Sequence, residues 1–315
     1  MISASLHRYA IPFHSAIDFK GQTLNRREGL ILQLQADGQT GLGEIAPLPQ
    51  FSRETLAKAQ QQAVAVLPEL CHTGALPDAA TLASVRFGIS CALWQLHQPR
   101  PRRVSAPYPL LTGSDEQMVA AAADATTIKL KVARRPVEQE VRLIYRLLAT
   151  NPHCRFRLDA NQRWSREQAE DFIAAIPLDR VDYIEEPTAS LEDNLRLVTE
   201  FGLPLALDET TQQPDYRYQF IAGVKALVLK PTLIGDIATL QRLVEQAELD
   251  GVQVTLSSSF ETNVGLTAIG QLAAELTPDQ APGIDTLDAL QQDLLLPQRP
   301  DTPCLSLQQL TPVWP

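Results

Sequence analysis

Strand-like and helix-like segments alternate from residue 108 to residue 286, and this alternation restricts the fold more than any other feature of the chain. The eight candidate strands are YPLLTG, TIKLKVA, CRFRLDAN, DYIEEP, PLALDE, ALVLKP, GVQVTLSSS and PGIDT. Most gaps between them have helical periodicity, which is typical of βαβ units with parallel strands. Eight such units close a barrel, so the sequence predicts an α/β fold of the (β/α) TIM-barrel type.

Two other regions flank the predicted barrel. Residues 1–98 begin with strand-like alternation around the turn signal Asp37-Gly38 and continue with two helical segments, which is an α+β pattern. The Pro/Arg-rich stretch QPRPRRVSAPYP separates this region from the barrel. We therefore place the domains at 1–98, 99–287 and 288–315, and expect the last, Gln/Pro-rich segment to return to the first region.

Charge and cysteine content exclude several classes of function. The net charge is −10 and the pI about 5.0, whereas a nucleic-acid partner requires a basic surface. No apolar run approaches the roughly 20 residues that span a bilayer, and the N-terminus lacks a signal-peptide profile. The four cysteines are widely spaced, which favours reduced thiols. We expect a cytoplasmic protein with no nucleic-acid or membrane partner.

Six charged residues lie at or near the carboxyl ends of five candidate strands. They are Lys129, Lys131, Asp159, Glu185, Asp208 and Lys230. Side chains alternate across a strand, and in each of these strands the opposite parity is apolar, as Ile128 and Leu130 are beside Lys129. The apolar parity suits the outer helix layer, so the charged side chains are predicted to point inward at the end of the barrel where active sites form.

The same parity rule sorts the neighbouring polar residues. Arg157 and Asn161 share the inward face with Asp159 and are predicted to support the site rather than to bind a ligand directly. Glu209 is predicted to point outward, and Glu186 to be a loop or outer-layer charge.

Three inward carboxylates without a His or Cys ligand set favour a hard cation. We predict that Asp159, Glu185 and Asp208 bind Mg²⁺, with Mn²⁺ as an alternative. A small-molecule carboxylate bound to such an ion can lose its α-proton, because the ion offsets the second negative charge of the enediolate.

The lysines suit proton transfer beside that ion. Crowded ammonium groups lower each other's pKa values, which favours a neutral lysine at working pH. We assign Lys131 as the base and Lys129 as a fixed cation. Lys230 would approach the substrate from across the barrel.

The motifs KLK, DAN, EEP, DE and LKP, in this order, resemble those of the enolase superfamily, in its muconate-lactonising-type branch. The resemblance spans essentially the whole chain. It implies a modified (β/α) TIM-type barrel with an N-terminal α+β capping domain and a C-terminal tail that returns to the cap.

Within this branch the chain most resembles the o-succinylbenzoate synthases, through SVRFGISCALW, RLDANQRW and SSSFETNVGL. That resemblance implies a syn dehydration in menaquinone biosynthesis, in which Lys131 removes the proton and Lys230 stabilises the anion. It also implies that Ser257, Ser258 and the loop around Gly43 line the substrate's succinyl pocket. The compact length favours a monomer.

Two alternatives stay open. An N-acylamino acid racemase or dipeptide epimerase of the same superfamily would use the same six residues, with one lysine on each face of the substrate. Asp285 in GIDT leaves this question undecided, because acidic residues in that region are typical of dipeptide epimerases. The other alternative is a non-catalytic barrel, which would be expected to carry broken ligands, whereas all of them are intact here.

Overall fold

The computed structural model of the protein describes residues 2–19, 21–97, 103–213 and 216–314. Its N-terminal part contains strands followed by helices. Their bounds are β1 Ser3–Phe19, β2 Gln22–Ala36, β3 Gln39–Ile45, α1 Leu56–Thr73 and α2 Ala83–His97. The order of elements agrees with the α+β pattern of the sequence, whereas the predicted boundary at residues 98 and 99 lies outside the described residues.

The N-terminal sheet is antiparallel, and one of its faces is covered by helices. Asp37 and Gly38, with φ of 51° and 76°, form the turn between β2 and β3, as the sequence predicts. Leucines of β2 pack with α1 and α2 in one buried cluster, which includes Leu32, Leu67 and Ile89. Burial of these apolar faces is the main source of stability for such a layer.

Glycine permits the close contact between β3 and α2. A Cβ built on Gly43 would lie 1.8 Å from the carbonyl oxygen of Gly88, and one on Gly41 would lie 2.0 Å from that of Ala92. Gly43 therefore packs against a helix backbone and does not line the cleft described below. This packing gives no support to a direct contact between Gly43 and a substrate, whereas Leu48, in the loop that follows Gly43, lines the cleft.

The central part alternates strands and helices. Its strands are β4 Leu110–Leu111, β5 Thr127–Lys131, β6 Arg155–Asp159, β7 Val181–Glu185, β8 Leu205–Leu207, β9 Val224–Leu229 and β10 Gln253–Leu256. Its helices are α3 Asp115–Ala121, α4 Val137–Thr150, α5 Arg166–Ala175, α6 Leu191–Phe201, α7 Pro231–Ile234, α8 Ile237–Leu249 and α9 Asn263–Leu276. Asp236 caps α8 by accepting a hydrogen bond from Thr239 N at 2.9 Å.

The strands form one parallel sheet in the order β10-β9-β8-β7-β6-β5-β4 within the described residues. The outward parity is apolar: Ile128, Leu158 and Leu229 pack with the helices in the largest buried cluster. The inner face holds a smaller cluster, Tyr183, Ala206, Ala226 and Val228. Within the strands the parity assignment made from the sequence is confirmed, and the fold is of the TIM-barrel type.

The predicted eighth strand is shorter than expected. In the segment PGIDT the structure forms only an isolated parallel bridge between Gly283 and Ser257 of the β10 end. Pro282 lacks an amide hydrogen, which limits a strand ladder at this point. The segment still lies next to β4, because Asp285 Oδ2 accepts a hydrogen bond from Leu110 N at 2.9 Å.

The C-terminal segment contacts the N-terminal part. It contains β11 Asp293–Leu294, β12 Cys304–Leu305 and β13 Thr311–Trp314. Strand β13 pairs antiparallel with β1, and Phe13 forms a bridge with Leu290. Across the described residues, no helix is both long and apolar enough to cross a membrane.

Two buried charged side chains of the N-terminal part hold the loop that follows β10. Arg27 is 1% exposed and donates to Phe260 O at 2.9 Å, to Pro47 O at 2.9 Å and to Ala46 O. Glu44, 2% exposed, accepts from Thr262 N and from Gly265 N in the first turn of α9, at 3.0 and 2.8 Å. A carboxylate at a helix N-terminus stabilises its unpaired amides.

Candidate active site

The six predicted residues converge at the carboxyl end of the barrel sheet. Lys131, Asp159 and Glu185 are the last residues of β5, β6 and β7, and Asp208 and Lys230 directly follow β8 and β9. Parallel strands bring their carboxyl ends to one edge, so residues far apart in sequence meet there. They line or border a cleft of about 620 Å³.

Lys129 joins two of the carboxylates. Its Nζ lies 3.1 Å from Asp159 Oδ2 and 2.7 Å from Glu185 Oε2. Burial by itself lowers the pKa of Lys129, but Asp159 and Glu185 raise it more, so that the pKa is held well above its usual value. Lys129 is thus a fixed ammonium group.

Lys230 lies on the other side of the sheet's curve, with three strands between it and β5. Its Nζ contacts both oxygens of Asp208, at 2.6 and 2.5 Å. Burial opposes the charge, yet Asp208 outweighs it and raises the pKa of Lys230. The Nζ also lies 5.8 Å from the ring centroid of Phe51, which borders the same cleft.

Lys131 has the weakest carboxylate contact of the three lysines. Its Nζ is 3.8 Å from Asp159 Oδ2 and 3.3 Å from Asn161 Oδ1. Burial lowers the pKa of Lys131, and Asp159 only partly compensates. The expectation that crowding lowers the pKa of every lysine is wrong for Lys129 and Lys230, because each forms a direct ion pair. It agrees in direction for Lys131, where burial is the main cause.

The carboxylates differ in how completely their charge and their oxygens are paired with neighbouring groups. Burial opposes the charge of Asp159, but Lys129, Lys131 and Lys230 hold its pKa well below the usual range. The pKa of Glu185 is raised to about 7. Burial is the main cause and Asp159 adds to the rise, whereas Lys129 opposes it. Glu185 Oε1 is buried without a hydrogen-bond partner. An additional cation would satisfy this oxygen.

The donor set fits a hard divalent ion, although the present arrangement is not that of a finished site. Among the described residues, no three Asp, Glu, His or Cys side chains are placed to hold one ion together. The reason is visible in the contacts: Lys129 bridges Asp159 and Glu185, and Lys230 occupies both oxygens of Asp208. The all-oxygen chemistry and the unpartnered Glu185 oxygen nevertheless suit Mg²⁺.

The remaining predicted residues have distinct positions. Ser257 and Ser258 line the cleft; their hydroxyls contact Gly283 O at 3.1 Å and Thr286 Oγ1 at 3.0 Å. Asn161 accepts from Lys131 and so positions it. Arg157 lies deeper in the barrel, where its guanidinium is 4.5 Å from the centroid of the Tyr108 ring.

The outward position predicted for Glu209 is wrong, and Glu186 lies in a loop, one of its two predicted positions, but is buried. Glu186 is 1% exposed and accepts from Asp208 N at 3.0 Å and from Thr210 N at 2.6 Å, so it orients Asp208 instead of facing outward. Glu209 is 6% exposed and lines the cleft; burial, followed by the charge of Asp208, raises its pKa to about 8. Glu209 therefore faces the cleft, whereas Glu186 lies behind Asp208 and holds its backbone amide.

Comparison with known proteins identifies the family. Residues 1–96 match the family model "MenC, N-terminal domain", and residues 114–303 match "Enolase C-terminal domain-like". The chain is 38% identical to o-succinylbenzoate synthase of Yersinia enterocolitica, over 100% of this chain and 99% of that protein.

Solved structures with a similar fold agree with this family comparison. The o-succinylbenzoate synthase of Thermosynechococcus elongatus BP-1, complexed with Mg in its active site, superimposes with a TM-score of 0.72 at 26% identity, covering 93% of this chain and 95% of that chain. The L-Ala-D/L-Glu epimerase of Bacillus subtilis has a TM-score of 0.73 at 20% identity, covering 93% and 91%, which shows the shared fold. From the site geometry, the two family models and the full-length relative, the chain belongs to the o-succinylbenzoate synthases, lyases of the enolase superfamily.

Proposed function

We propose that this chain converts 2-succinyl-6-hydroxy-2,4-cyclohexadiene-1-carboxylate to 2-succinylbenzoate, a dehydration in menaquinone biosynthesis. The observation that carries the proposal is the placement of two lysines around Asp159, Glu185 and Asp208. Lys131 is weakly paired, Lys230 is bound to a carboxylate, and three strands lie between the strands that carry them. This arrangement supports removal of a proton α to a carboxylate.

Lys131 would act as both base and acid. Its neutral amine takes the α-proton from the ring carbon that bears the carboxylate, and the resulting ammonium returns that proton to the departing hydroxide on the same face, which leaves as water. Lys129, held as an ammonium by Asp159 and Glu185, would stabilise charge on the substrate carboxylate. Lys230 would stabilise the ring anion from the opposite face.

Asp159, Glu185 and Asp208 would hold Mg²⁺, and Mn²⁺ is a second candidate because it prefers the same oxygen ligands. The ion, when bound, supplies positive charge next to the substrate carboxylate. Glu186 would keep Asp208 oriented through its backbone amide. Ser257 and Ser258 would contact the bound substrate from the β10 side of the cleft.

Dehydration is supported over racemisation by the relatives of this chain. A racemase or epimerase needs a proton donor or acceptor on each face of the substrate, and the same two lysines could supply both. The relatives that match over the full length, at 38% and 37% identity, are o-succinylbenzoate synthases.

The direct test is formation of 2-succinylbenzoate, followed by ultraviolet absorbance with Mg²⁺ present, in wild type and in Lys131→Ala. We expect a folded variant with at least about 10³-fold lower kcat, since both proton transfers are lost. Substantial residual turnover in Lys131→Ala would remove Lys131 from the role of base. A wild-type protein that racemises an N-acylamino acid but forms no product would favour the alternative.

We also propose that the enzyme acts as a monomer in the cytoplasm. All four cysteines are free, as in reducing compartments. Analytical ultracentrifugation would test the oligomeric state.

A further inference from the structure

Two arginines at the rim of the active-site cleft take no part in the proton transfers proposed above. Arg134 lies three residues beyond Lys131, in the loop between β5 and α4, and Arg163 lies four residues beyond Asp159, in the loop between β6 and α5. Both side chains line the same cleft of about 620 Å³ as the lysines.

Neither guanidinium has an acidic partner. Among the described residues, no carboxylate lies within 4.0 Å of Arg134 or Arg163, whereas the adjacent Arg135 pairs with Asp115 at 2.5 Å. Asp18, which also lines the cleft, is outside that distance from both. The Arg134 guanidinium donates to Asn161 Oδ1 at 3.1 Å. Burial, followed by the charge of Arg163, lowers the pKa of Arg134, while Asp159, Asp18 and Glu140 oppose the lowering, so the two arginines lie within electrostatic range of each other. Two neighbouring cations without a direct ion pair, both lining the cleft, can attract an anionic group of a ligand.

The backbone holds these arginines in place. Glu140, 4% exposed, accepts hydrogen bonds from Ala133 N, Arg134 N and Arg135 N at 3.0, 2.8 and 3.1 Å. Asn161 and Gln162, just before Arg163, have left-handed φ values of 47° and 60°. Uncommon backbone conformations of this kind are retained where the surroundings fix them, often at binding sites.

The charge in the cleft is unevenly distributed. Asp285 and Asp288 line the wall at the end of the barrel sheet that follows β10, next to the neutral Ser257 and Ser258. The arginines lie on the side of β5 and β6. A substrate carboxylate that is not at the metal ligands would be repelled by the first wall and attracted to the second.

We propose that Arg134 and Arg163 bind the terminal carboxylate of the substrate's succinyl chain. The inference rests on the proposed function, because only a dicarboxylate substrate has this second charge. Lys129, Lys131 and Lys230 already serve the ring carboxylate and the proton transfers, which leaves these two guanidiniums for the chain. Arginine suits the role because its planar group binds a carboxylate through two parallel hydrogen bonds.

Binding of two product-like ligands tests the assignment. 2-Succinylbenzoate and 2-butyrylbenzoate share the ring carboxylate and the ketone, and differ in the terminal carboxylate, which is a methyl group in the second. Titration calorimetry with Mg²⁺ would measure the affinity of each ligand for three proteins. They are the wild type, the double variant Arg134→Met/Arg163→Met and the matched control Arg135→Met. We expect wild type and Arg135→Met to prefer 2-succinylbenzoate by about 10- to 100-fold. The double variant should lose this preference and bind 2-butyrylbenzoate as wild type does.

Other results would overturn the assignment. Equal weakening of both ligands in the double variant would mean that the arginines only shape the cleft. An unchanged preference would mean that they do not contact the succinyl chain. A wild type that forms 2-succinylbenzoate but binds both ligands equally would leave the proposed function intact and remove this inference. A wild type that neither turns over substrate nor binds either ligand would remove both.

Discussion

Glu261 is a buried carboxylate outside the catalytic group. It is 1% exposed, accepts from Ser259 N at 2.6 Å and from Thr232 Oγ1 at 2.5 Å, and joins the loop after β10 to α7. Burial raises the pKa of Glu261, and the nearby Glu44 adds to the rise although Arg27 opposes it. The loop that carries Ser257 and Ser258 is therefore anchored by a charge that the interior disfavours.

This charge makes the stability of the protein depend on pH. Because the folded-state pKa of Glu261 is above its unfolded value, its contribution to stability is fully present in acid and is lost as the pH rises through the folded pKa. Glu261→Gln removes the charge: the amide oxygen can accept from Ser259 N, and the amide nitrogen can donate to Thr232 Oγ1. Measured by calorimetry, the Tm of Glu261→Gln minus that of wild type should be larger at pH 8 than at pH 4, which is below the unfolded-state pKa of a glutamate.

The exposed Glu248→Gln on α8 is the matched control and should show no such trend. A Tm difference for Glu261→Gln that is independent of pH, or that shrinks as the pH rises, would contradict the expectation.

Residue positions were predictable from the sequence only as far as each strand extends. The alternation rule placed Lys129, Lys131 and Lys230 correctly because they lie within or next to a strand. It failed for Glu186, whose φ of 29° turns the chain out of the strand, and for Glu209, which begins a 3-10 turn. Side chains alternate between the two faces of a strand only while the backbone is extended, so the rule does not apply beyond the strand end.

At the scale of elements, strand and helix order followed from periodicity, whereas contacts between elements did not. The segment around Gly43 has the composition of a loop near a site, but its glycines allow β3 to approach α2. The buried Arg27 gave no sequence signal, because an isolated arginine in an amphipathic strand resembles a surface residue. Long-range pairing of this kind becomes visible only once the elements are assembled.

Arg27 is predicted to stabilise the fold by joining the segment after β3 to the loop that follows β10. Arg27→Met would leave the carbonyl oxygens of Phe260, Pro47 and Ala46 without their donor in a buried position. We expect a loss of at least about 3 kcal/mol in the free energy of unfolding, since each unsatisfied buried group costs about 1–3 kcal/mol. Urea denaturation monitored by circular dichroism would measure it.

Arg26→Met is the matched control. Arg26 is the adjacent residue of β2, its side chain is 62% exposed, and its nearest carboxylate contact is 3.5 Å from Glu28. We expect a change within about 0.5 kcal/mol for this variant. Equal losses for the two variants would show that Arg27 contributes no more than a surface arginine.

At the scale of the whole molecule, ion binding should be coupled to stability. Glu185 is the last residue of β7 and has an unpartnered buried oxygen. A ligand that binds only the folded state at 100 times its Kd stabilises that state by about 2.7 kcal/mol. We expect Mg²⁺ to raise the Tm of wild type and to have little effect on Glu185→Gln, as measured by scanning calorimetry.

Asp182→Asn is the control at the opposite end of the same strand, where Asp182 pairs with Arg155 and lies 3.6 Å from Arg157 Nε, away from the predicted ion. It should keep the full response to Mg²⁺. A normal response in Glu185→Gln would exclude this residue as a ligand.

We propose that three strand-end carboxylates share one ion, with a lysine on each side of the bound substrate. A crystal structure with Mg²⁺ and 2-succinylbenzoate would show this arrangement. We predict one oxygen each from Asp159, Glu185 and Asp208 at about 2.0–2.1 Å from the ion, with Lys131 and Lys230 on opposite faces of the ring. An ion bound elsewhere, or both amines on one face, would contradict the account.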